Sequence, residues 1–586
     1  MDKLFIQLLP ELTLVAVACL LFLLGVSPKA SSRHISAWVA FLTLVTLFFV
    51  QLTVMEEVNY SAMGLSDAAT HTVNNGAFVQ YARLIVTGVG AVLVLLAWPT
   101  NRDATGSDSL NFGQDAGEFY ALMLLSLAGV LLVASANDII LLFLAIELSS
   151  IPTYIMVSIS RPLPVAQEAG VKYFFLGAMA AAIMLFGFSY LYGTTGLTKL
   201  DAIQAMLHPA WSSGPTVLTP WQSLAVIMLL GGFAFKIAAV PLHAYAGDVY
   251  QGAATPVTAF LAFVPKTAGF LAIIKVLSAV GGEHWSFPPL VIHLLWALAA
   301  LTMTVGNALG LLQFNVKRVL AYSSVAHSGY MLVGITALTH AYDAFPNDPA
   351  MAAKIQALAI GGVLFYLAAY GIMNSGAFGV LMMLPSRDVD DSNTPGTPPR
   401  PPIATTAETY DDLAGQGKRH VALGLAMSVC CFSLIGIPLT VGFIGKVYLI
   451  QPALASGLFW LVVITMVNAA ISAGYYLKII ATMFLRPAPD AELGSAGSPV
   501  YARHHAAPHG LAAIAHAPLA LSLAVVLSVV ATVMFGTVVP AASGLTRDVQ
   551  KAAGLAPPQP AVTAAPGAPL SNAIPAIATT PHASAQ

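Results

Sequence analysis

Apolar runs long enough to cross a bilayer dominate the chain, and the polar links between them are mostly short. A helix needs about 20 predominantly apolar residues to span the hydrocarbon core. The pattern predicts about fourteen such helices, near residues 4–26, 36–55, 78–98, 118–135, 138–159, 170–193, 222–243, 255–280, 288–312, 318–338, 356–384, 419–449, 454–484 and 513–540. Only Ala136 and Asn137 separate the fourth run from the fifth, so that turn is tight. The expected fold is an all-α polytopic membrane protein. The polar, Pro-rich link 385–417 is expected to be exposed, and the Ala/Pro-rich tail, residues 541–586, to be disordered.

Two runs share an interruption. The seventh reads GGFAFKIAAVPLH, with Lys236 five residues before Pro241; the twelfth reads IGIPLTVGFIGKV, with Lys446 eight residues after Pro438. Proline removes a backbone donor and breaks or tilts a helix. Gly/Pro-interrupted apolar segments in corresponding halves of a transporter point to an ion pathway. The two runs lie five spans apart, an odd number, so the units containing them would be inverted relative to each other. The organisation predicted is a three-helix segment at 1–117, a first five-helix repeat at 118–280, a second at 281–484 and a last helix with its preceding link at 485–540.

Composition supports the membrane reading. The chain has 586 residues, 58% hydrophobic and 9% charged, with mean hydropathy +0.80, whereas soluble domains carry about 25% charged residues. A net charge of -2 and the lack of a basic patch give no reason for a nucleic-acid partner; the partner is the lipid bilayer. Cys19, Cys430 and Cys431 lie in apolar runs without metal-ligand or disulfide spacing and read as small buried hydrophobes. The first run, Leu4 to Val26, has no basic n-region or small-residue cleavage site and reads as a span. Cations gather in the links after odd-numbered runs, at Lys29, Arg33, Arg102, Arg161, Lys317, Arg318, Arg387, Arg400, Arg486 and Arg503, with Lys418 and Arg419 on the same side. The other side has chiefly Lys3, Lys199 and Lys354. By the positive-inside rule both termini face outward.

Against this apolar background Glu147, Lys236, Lys266 and Lys446 stand inside spans. Each costs roughly 2.5–3.5 kcal/mol at a helix centre, so together they cost about 10 kcal/mol. Burial makes a lysine readier to give up its proton, and a nearby carboxylate opposes that; a Glu147–Lys236 pair that forms and breaks would be a pump element. His243 and His327 are candidates for a proton relay or for packing. Tyr322, Tyr330 and Asn374 read as lining or as contacts between helices. Lys275 and Lys478, nearer span ends, read as snorkelling to the headgroups.

At these motifs the chain resembles the antiporter-like membrane subunits of respiratory complex I. The resemblance rests on KIAAVPLHAYAGDVYQGAATPVTAFLAFVPKTAGF (Lys236 to Phe270), LLFLAIELSSIPTYIM (Leu141 to Met156), KRVLAYSSVAHSGYMLVG (Lys317 to Gly334) and GIPLTVGFIGKVYLI (Gly436 to Ile450), and runs over nearly all of 4–540. It implies an ion pair of Glu147 with Lys236, a connecting Lys266 and a terminal carrier Lys446. It also implies other antiporter-like chains as partners and a bacterial inner (plasma) membrane location. The N-terminal LLPELTLVAVACLL and a lysine rather than a glutamate at position 446 resemble one type of chain in that family. The Pro-rich link and the tail depart from the family pattern.

No spacing here suggests a flavin, iron–sulfur or nucleotide site. The resemblance therefore implies NADH, FMN, iron–sulfur clusters and quinone in the assembled complex, none of them in this chain. The expected function is proton translocation coupled to quinone reduction elsewhere. Two alternatives remain open at this point: a subunit of a multisubunit cation/proton antiporter, and a pump-inactive scaffold.

Overall fold

The computed structural model describes residues 7–27, 30–57, 73, 76–99, 116–161, 164–207, 218–282, 285–384, 407–487 and 519–537. Most of the predicted Pro-rich link and all of the tail lie outside these residues. Among the described residues there is no strand, only three isolated bridge pairs. The helices are α1 Leu9–Gly25, α2 Ala30–Glu57, α3 Ala77–Leu96, α4 Ala116–Ser135, α5 Ile139–Ile159, α6 Pro164–Thr195, α7 Leu200–Leu207, α8 Pro220–Lys236, α9 Ala246–Gly252 and α10 Thr255–Gly281. They continue with α11 Pro289–Leu311, α12 Val316–Ala344, α13 Pro349–Met383, α14 Tyr410–Leu413, α15 Gln416–Arg419, α16 Val421–Ile435, α17 Val441–Ala455, α18 Phe459–Phe484 and α19 Leu519–Thr537.

Polar residues set the boundaries. Asp138 turns the chain between α4 and α5, its Oδ1 accepting from the Ile140 and Leu141 amides at 2.8 and 3.2 Å. That is how a three-residue link joins two spans: one side chain satisfies two of the free donors of the new helix. Thr219 and Gln222 form a reciprocal capping box on α8, and the Asn315 side chain accepts from the Arg318 amide at the start of α12.

Among the described residues ten helices are long and apolar enough to cross a membrane, or eleven if the pair Tyr410–Arg419 and Val421–Ile435, bent by 119°, is one span. The apolar pattern predicts about fourteen. Breaks and charge account for the difference. Helices α1, α8 and α17 have 17, 17 and 15 residues, and α12, with 29, is diluted by Lys317, Arg318, His327 and several hydroxyls. The run 419–449 is broken as its proline suggests, ending α16 at Ile435 and restarting at Val441.

Helix α10 is buried along its whole length, packed by α3, α4, α5, α7, α8, α9, α12 and α13. Helices α6, α18 and α19 instead expose large apolar side chains such as Phe175, Phe186, Trp460 and Val526, which suits lipid contact. Cys430 and Cys431 are buried as expected, but Cys19 is exposed, on the outward stripe of α1.

One face of the helix bundle is basic. There Arg161 at the end of α5 and Lys317 at the start of α12 both bind Glu408, which stands between α13 and α14. The Lys317 Nζ is 3.2 Å from Glu408 Oε1 and also donates to the Gln251 and Ala253 carbonyls at 3.3 and 2.7 Å. The end of the link expected to be exposed is therefore buried: Ala407, Leu413 and Ala414 are covered. The Glu408 amide donates to the Asp412 carboxylate at 2.9 Å, and its carbonyl accepts from the Val316 amide at 2.7 Å. The physical reason is charge: two buried cations from different helices need one carboxylate between them, and the link supplies it.

Burial alone would raise the Glu408 carboxyl, but Lys317 and then Arg161 outweigh it and hold it below the usual carboxylate range. A depressed folded pKa means stability that is present above the unfolded carboxylate value and lost as pH falls through the folded one. Segment 407–419 is thus expected to gain hydrogen exchange only below about pH 4. Glu408→Gln is expected to lack that acid step and to be less stable by about 3–5 kcal/mol, since it leaves buried cations unpaired. Amide exchange across a pH series checks both, and an unchanged profile in the variant would contradict the reading.

Candidate functional site

Each break leaves helix-end carbonyls without helical partners, and lysines collect there. Helix α8 stops at Lys236, and residues 237–245 run unwound to α9. Lys236 is 4% exposed. Its Nζ donates to Glu147 Oε1 at 3.1 Å, to Ser150 Oγ at 2.7 Å and to Tyr154 OH at 3.3 Å. Glu147, Ser150 and Tyr154 are three and four residues apart on α5, so one helical stripe supplies all three acceptors. Charge in an apolar run singles out Glu147 alone; the spacing E-x-x-S-x-x-x-Y is the available signal for the other two.

The pair is reachable because α10 approaches closely. A Cβ at Gly269 would lie 2.5 Å from Ile237 Cγ2 and 3.2 Å from Lys236 Cβ. Lys266, three residues earlier on α10, sends its Nζ to the Ile237 carbonyl at 3.4 Å. Ser328 on α12 donates to that same carbonyl at 2.5 Å. Ala238, beside it, has φ +55°, a left-handed backbone that side chains rarely adopt.

Next to Ser328 stands His327, 1% exposed. Its Nδ1 pairs with Tyr366 OH at 2.7 Å and its Nε2 with Tyr476 OH at 3.1 Å, and Tyr476 OH in turn pairs closely with Ser323 Oγ. Its ring meets Tyr330 edge-on at 5.6 Å, and the Lys446 Nζ lies 4.7 Å over the Tyr330 ring. Lys446 reaches back from α17 to the end of α16, donating to the Leu434 and Ile435 carbonyls at 3.1 and 2.7 Å. Cations suit the carbonyl end of a helix.

These contacts order the sequence candidates into one row: Glu147, Lys236, the Ile237 carbonyl shared by Lys266 and Ser328, His327, Tyr330 and Lys446. His243 lies off it, half-buried in the unwound segment, with Nδ1 covered and without a hydrogen-bond partner among the described residues. Tyr330 lines the row and also accepts from Asn307 at 3.2 Å. Tyr322 is buried toward the basic face, and the Asn374 Nδ2 is buried without a partner among the described residues. Tyr366 and Tyr476, which hold both nitrogens of His327, leave no signal in the sequence, because they lie 39 and 149 residues away on other helices.

The reading of the two peripheral lysines divides. Lys478 is exposed, with its Nζ 4.4 Å over the Tyr410 ring and 5.5 Å over Phe314, as a snorkelling residue should be. Lys275 is not. It is 2% exposed, because α10 is enclosed on every side and offers no route to the headgroups.

Comparison with known proteins identifies the family. Residues 136–346 and 350–472 match the family "NADH:quinone oxidoreductase/Mrp antiporter, TM". The chain is 34% identical over 486 residues to NADH-quinone oxidoreductase subunit N of Trichlorobacter lovleyi, covering 82% of this chain and 88% of that protein. It is 35% identical over 506 residues to subunit N of Myxococcus xanthus, covering 83% and 89%. Among solved structures, a chain of Thermus thermophilus respiratory complex I aligns at TM-score 0.60 and 28% identity, covering 89% of this chain and 98% of that one. A chain of the Mrp complex of Dietzia aligns at TM-score 0.68 and 20% identity over 93% and 97%, a likeness of fold. This chain belongs to the NADH:quinone oxidoreductase/Mrp antiporter transmembrane family and resembles its subunit N members along more than four-fifths of its length.

Proposed function

We propose that the row from Glu147 to Lys446 is the path by which this chain moves protons. The chain is a proton-translocating membrane subunit of NADH:quinone oxidoreductase, coupled to quinone reduction in other subunits. Lys236 loads a proton beside its ion-pair partner Glu147, Lys266 passes it at the Ile237 carbonyl, and Lys446 releases it, with His327 between the two halves. What supports this reading is the series of contacts and chain neighbours that runs from one helix break to the other, buried throughout except at Glu147, which is partly exposed.

The basic face is the cytoplasmic one, on the rule that cations stay inside, so both termini lie outside a bacterial inner membrane. No redox group belongs to this chain; NADH, FMN, iron–sulfur clusters and quinone sit with its partners, which include other antiporter-like chains. Moving one charge against 100 mV requires about 2.3 kcal/mol, and that work arrives through neighbouring subunits.

The test compares a central charge with a peripheral one. Glu147→Ala is expected to lower proton translocation about tenfold, whereas Lys478→Ala, at the lipid rim, changes it by less than about twofold. Both are measured in membrane vesicles at equal complex content. Equal losses would dissolve the distinction between the row and the rim.

A further inference from the structure

Among the described residues one buried cation, Lys275, belongs neither to the row nor to an ion pair. Lys275 lies on α10 nine residues beyond Lys266, which places it about 14 Å farther along the axis and on the opposite face of the helix. Among the described residues its Nζ has no hydrogen-bond partner. Its nearest ring is Phe78 at the start of α3, 5.9 Å from the nitrogen to the centroid. The neighbouring cation on α3 is differently placed: Arg83 is fully engaged by Glu11, with its Nη2 2.7 Å from Oε1 and 2.9 Å from Oε2, and donates to the Gln7 carbonyl at 2.7 Å.

A permanently charged lysine buried without a partner costs several kcal/mol, and a protein avoids that cost by leaving the amine neutral for part of its cycle. A lysine with no use for its charge would be replaced at no cost by an apolar residue of equal volume. A second group at this end of the molecule is similarly incomplete. Helix α7 packs on α10 and carries Asp201, whose Oδ1 accepts from the Ala202 amide at 2.8 Å while its Oδ2 is buried without a partner among the described residues. Both groups lie toward the membrane face opposite the Glu408 latch, since α10 begins beside Lys317 and ends at Gly281.

We propose that Lys275 is a further proton-carrying residue of the translocation reaction, joining the middle of α10 to the face opposite the basic one. This rests on the proton-path reading above and extends it to a second exit. The free amine takes a proton through water from the side of Lys266, and the ammonium gives the same proton to water or to the Asp201 carboxylate; no other bond changes. The first half of the chain then has its own connection to that face, separate from Lys446.

Three substitutions in the assembled complex test it, because arginine, methionine and histidine separate charge, volume and proton exchange. Arginine keeps the charge but never releases its proton, methionine keeps the volume without a proton, and histidine exchanges one. The readout is protons moved per NADH oxidised in vesicles, a ratio that does not depend on how much complex assembles, together with turnover per complex. Lys275→Met and Lys275→Arg are both expected to lower proton movement about twofold or more, with Lys275→His recovering part of the loss. Wild-type values in Lys275→Met, or full recovery in Lys275→Arg, would overturn the proposal, the first pointing to a packing role and the second to a fixed structural charge. Neither result would touch the Glu147–Lys446 row, which its own variants test.

Discussion

Replacing Lys236 with methionine is expected to stop proton translocation by the chain while leaving it folded. Methionine fills a similar volume at the end of α8 but offers no proton. The variant also leaves Glu147, whose side chain is 18% exposed, without the cation 3.1 Å away. Removing one member of a buried ion pair costs about 3–5 kcal/mol, largely through the partner left behind. Lower stability alone would therefore say nothing about pumping. The double variant Lys236→Met/Glu147→Gln separates the two effects. It removes both charges and keeps the Ser150 and Tyr154 hydroxyls that now accept from Lys236. Stability is expected to return toward the parent value, because well-packed neutral replacements of a buried pair are often neutral or stabilising. Translocation is expected to stay at least about tenfold down in both variants. Thermal unfolding of the purified complex and dye-reported acidification of vesicles measure the two quantities. A double variant that pumps normally would remove Lys236 from the pathway.

Sequence is most legible where chemistry is local. A charge in an apolar run is visible at once, and so is a proline that must interrupt a helix; Lys236, Lys266, Lys446 and both breaks follow from those signals. Contacts between distant segments are not legible. Glu408 lies 91 residues from Lys317 and 247 from Arg161, inside a link whose composition reads as exposed. Lys275 reads as a snorkelling lysine because distance from a span end is visible in sequence, whereas complete enclosure of α10 is set by eight other helices.

The two breaks correspond differently in space than in sequence. Sequence pairs Lys236 with Lys446, each near a proline. By geometry, the lysine that reaches from a following helix to a broken-end carbonyl is Lys266 at the first break, at Ile237, and Lys446 at the second, at Leu434 and Ile435. Lys236 instead ends its own helix and takes an acid partner. Both breaks hold a non-glycine residue in the left-handed region, Ala238 at φ +55° and Leu439 at φ +73°. Such backbone costs about 1–3 kcal/mol and persists only where surrounding contacts hold it; at the first break the Lys266 bond to the neighbouring Ile237 carbonyl is one of them.

Gly436→Ala is expected to disable the second break through Lys446. Gly436 caps α16 at φ +88°, and a Cβ there would fall 2.9 Å from Lys446 Cδ and 3.4 Å from its Nζ. Alanine at positive φ costs about 1 kcal/mol by itself, so a loss of stability would not identify the lysine as the cause. Gly457 supplies the control. It has φ +81°, a Cβ there would meet nothing within 4 Å, and it lies at the end of α17 away from Lys446. Gly457→Ala therefore carries the backbone cost alone. Both variants are expected to lose about 1 kcal/mol of stability. Only Gly436→Ala is expected to lower translocation, by about tenfold or more, because its methyl pushes the ammonium off the Leu434 and Ile435 carbonyls, and a displacement of about 1 Å at a reacting group is enough for such a loss. If the two variants translocate equally at equal complex content, the carbonyl seat of Lys446 is not what makes it a carrier. If Gly436→Ala alone fails while quinone reduction slows with it, the exit lysine is held in place by the broken end of α16, and the glycine is there to leave it room.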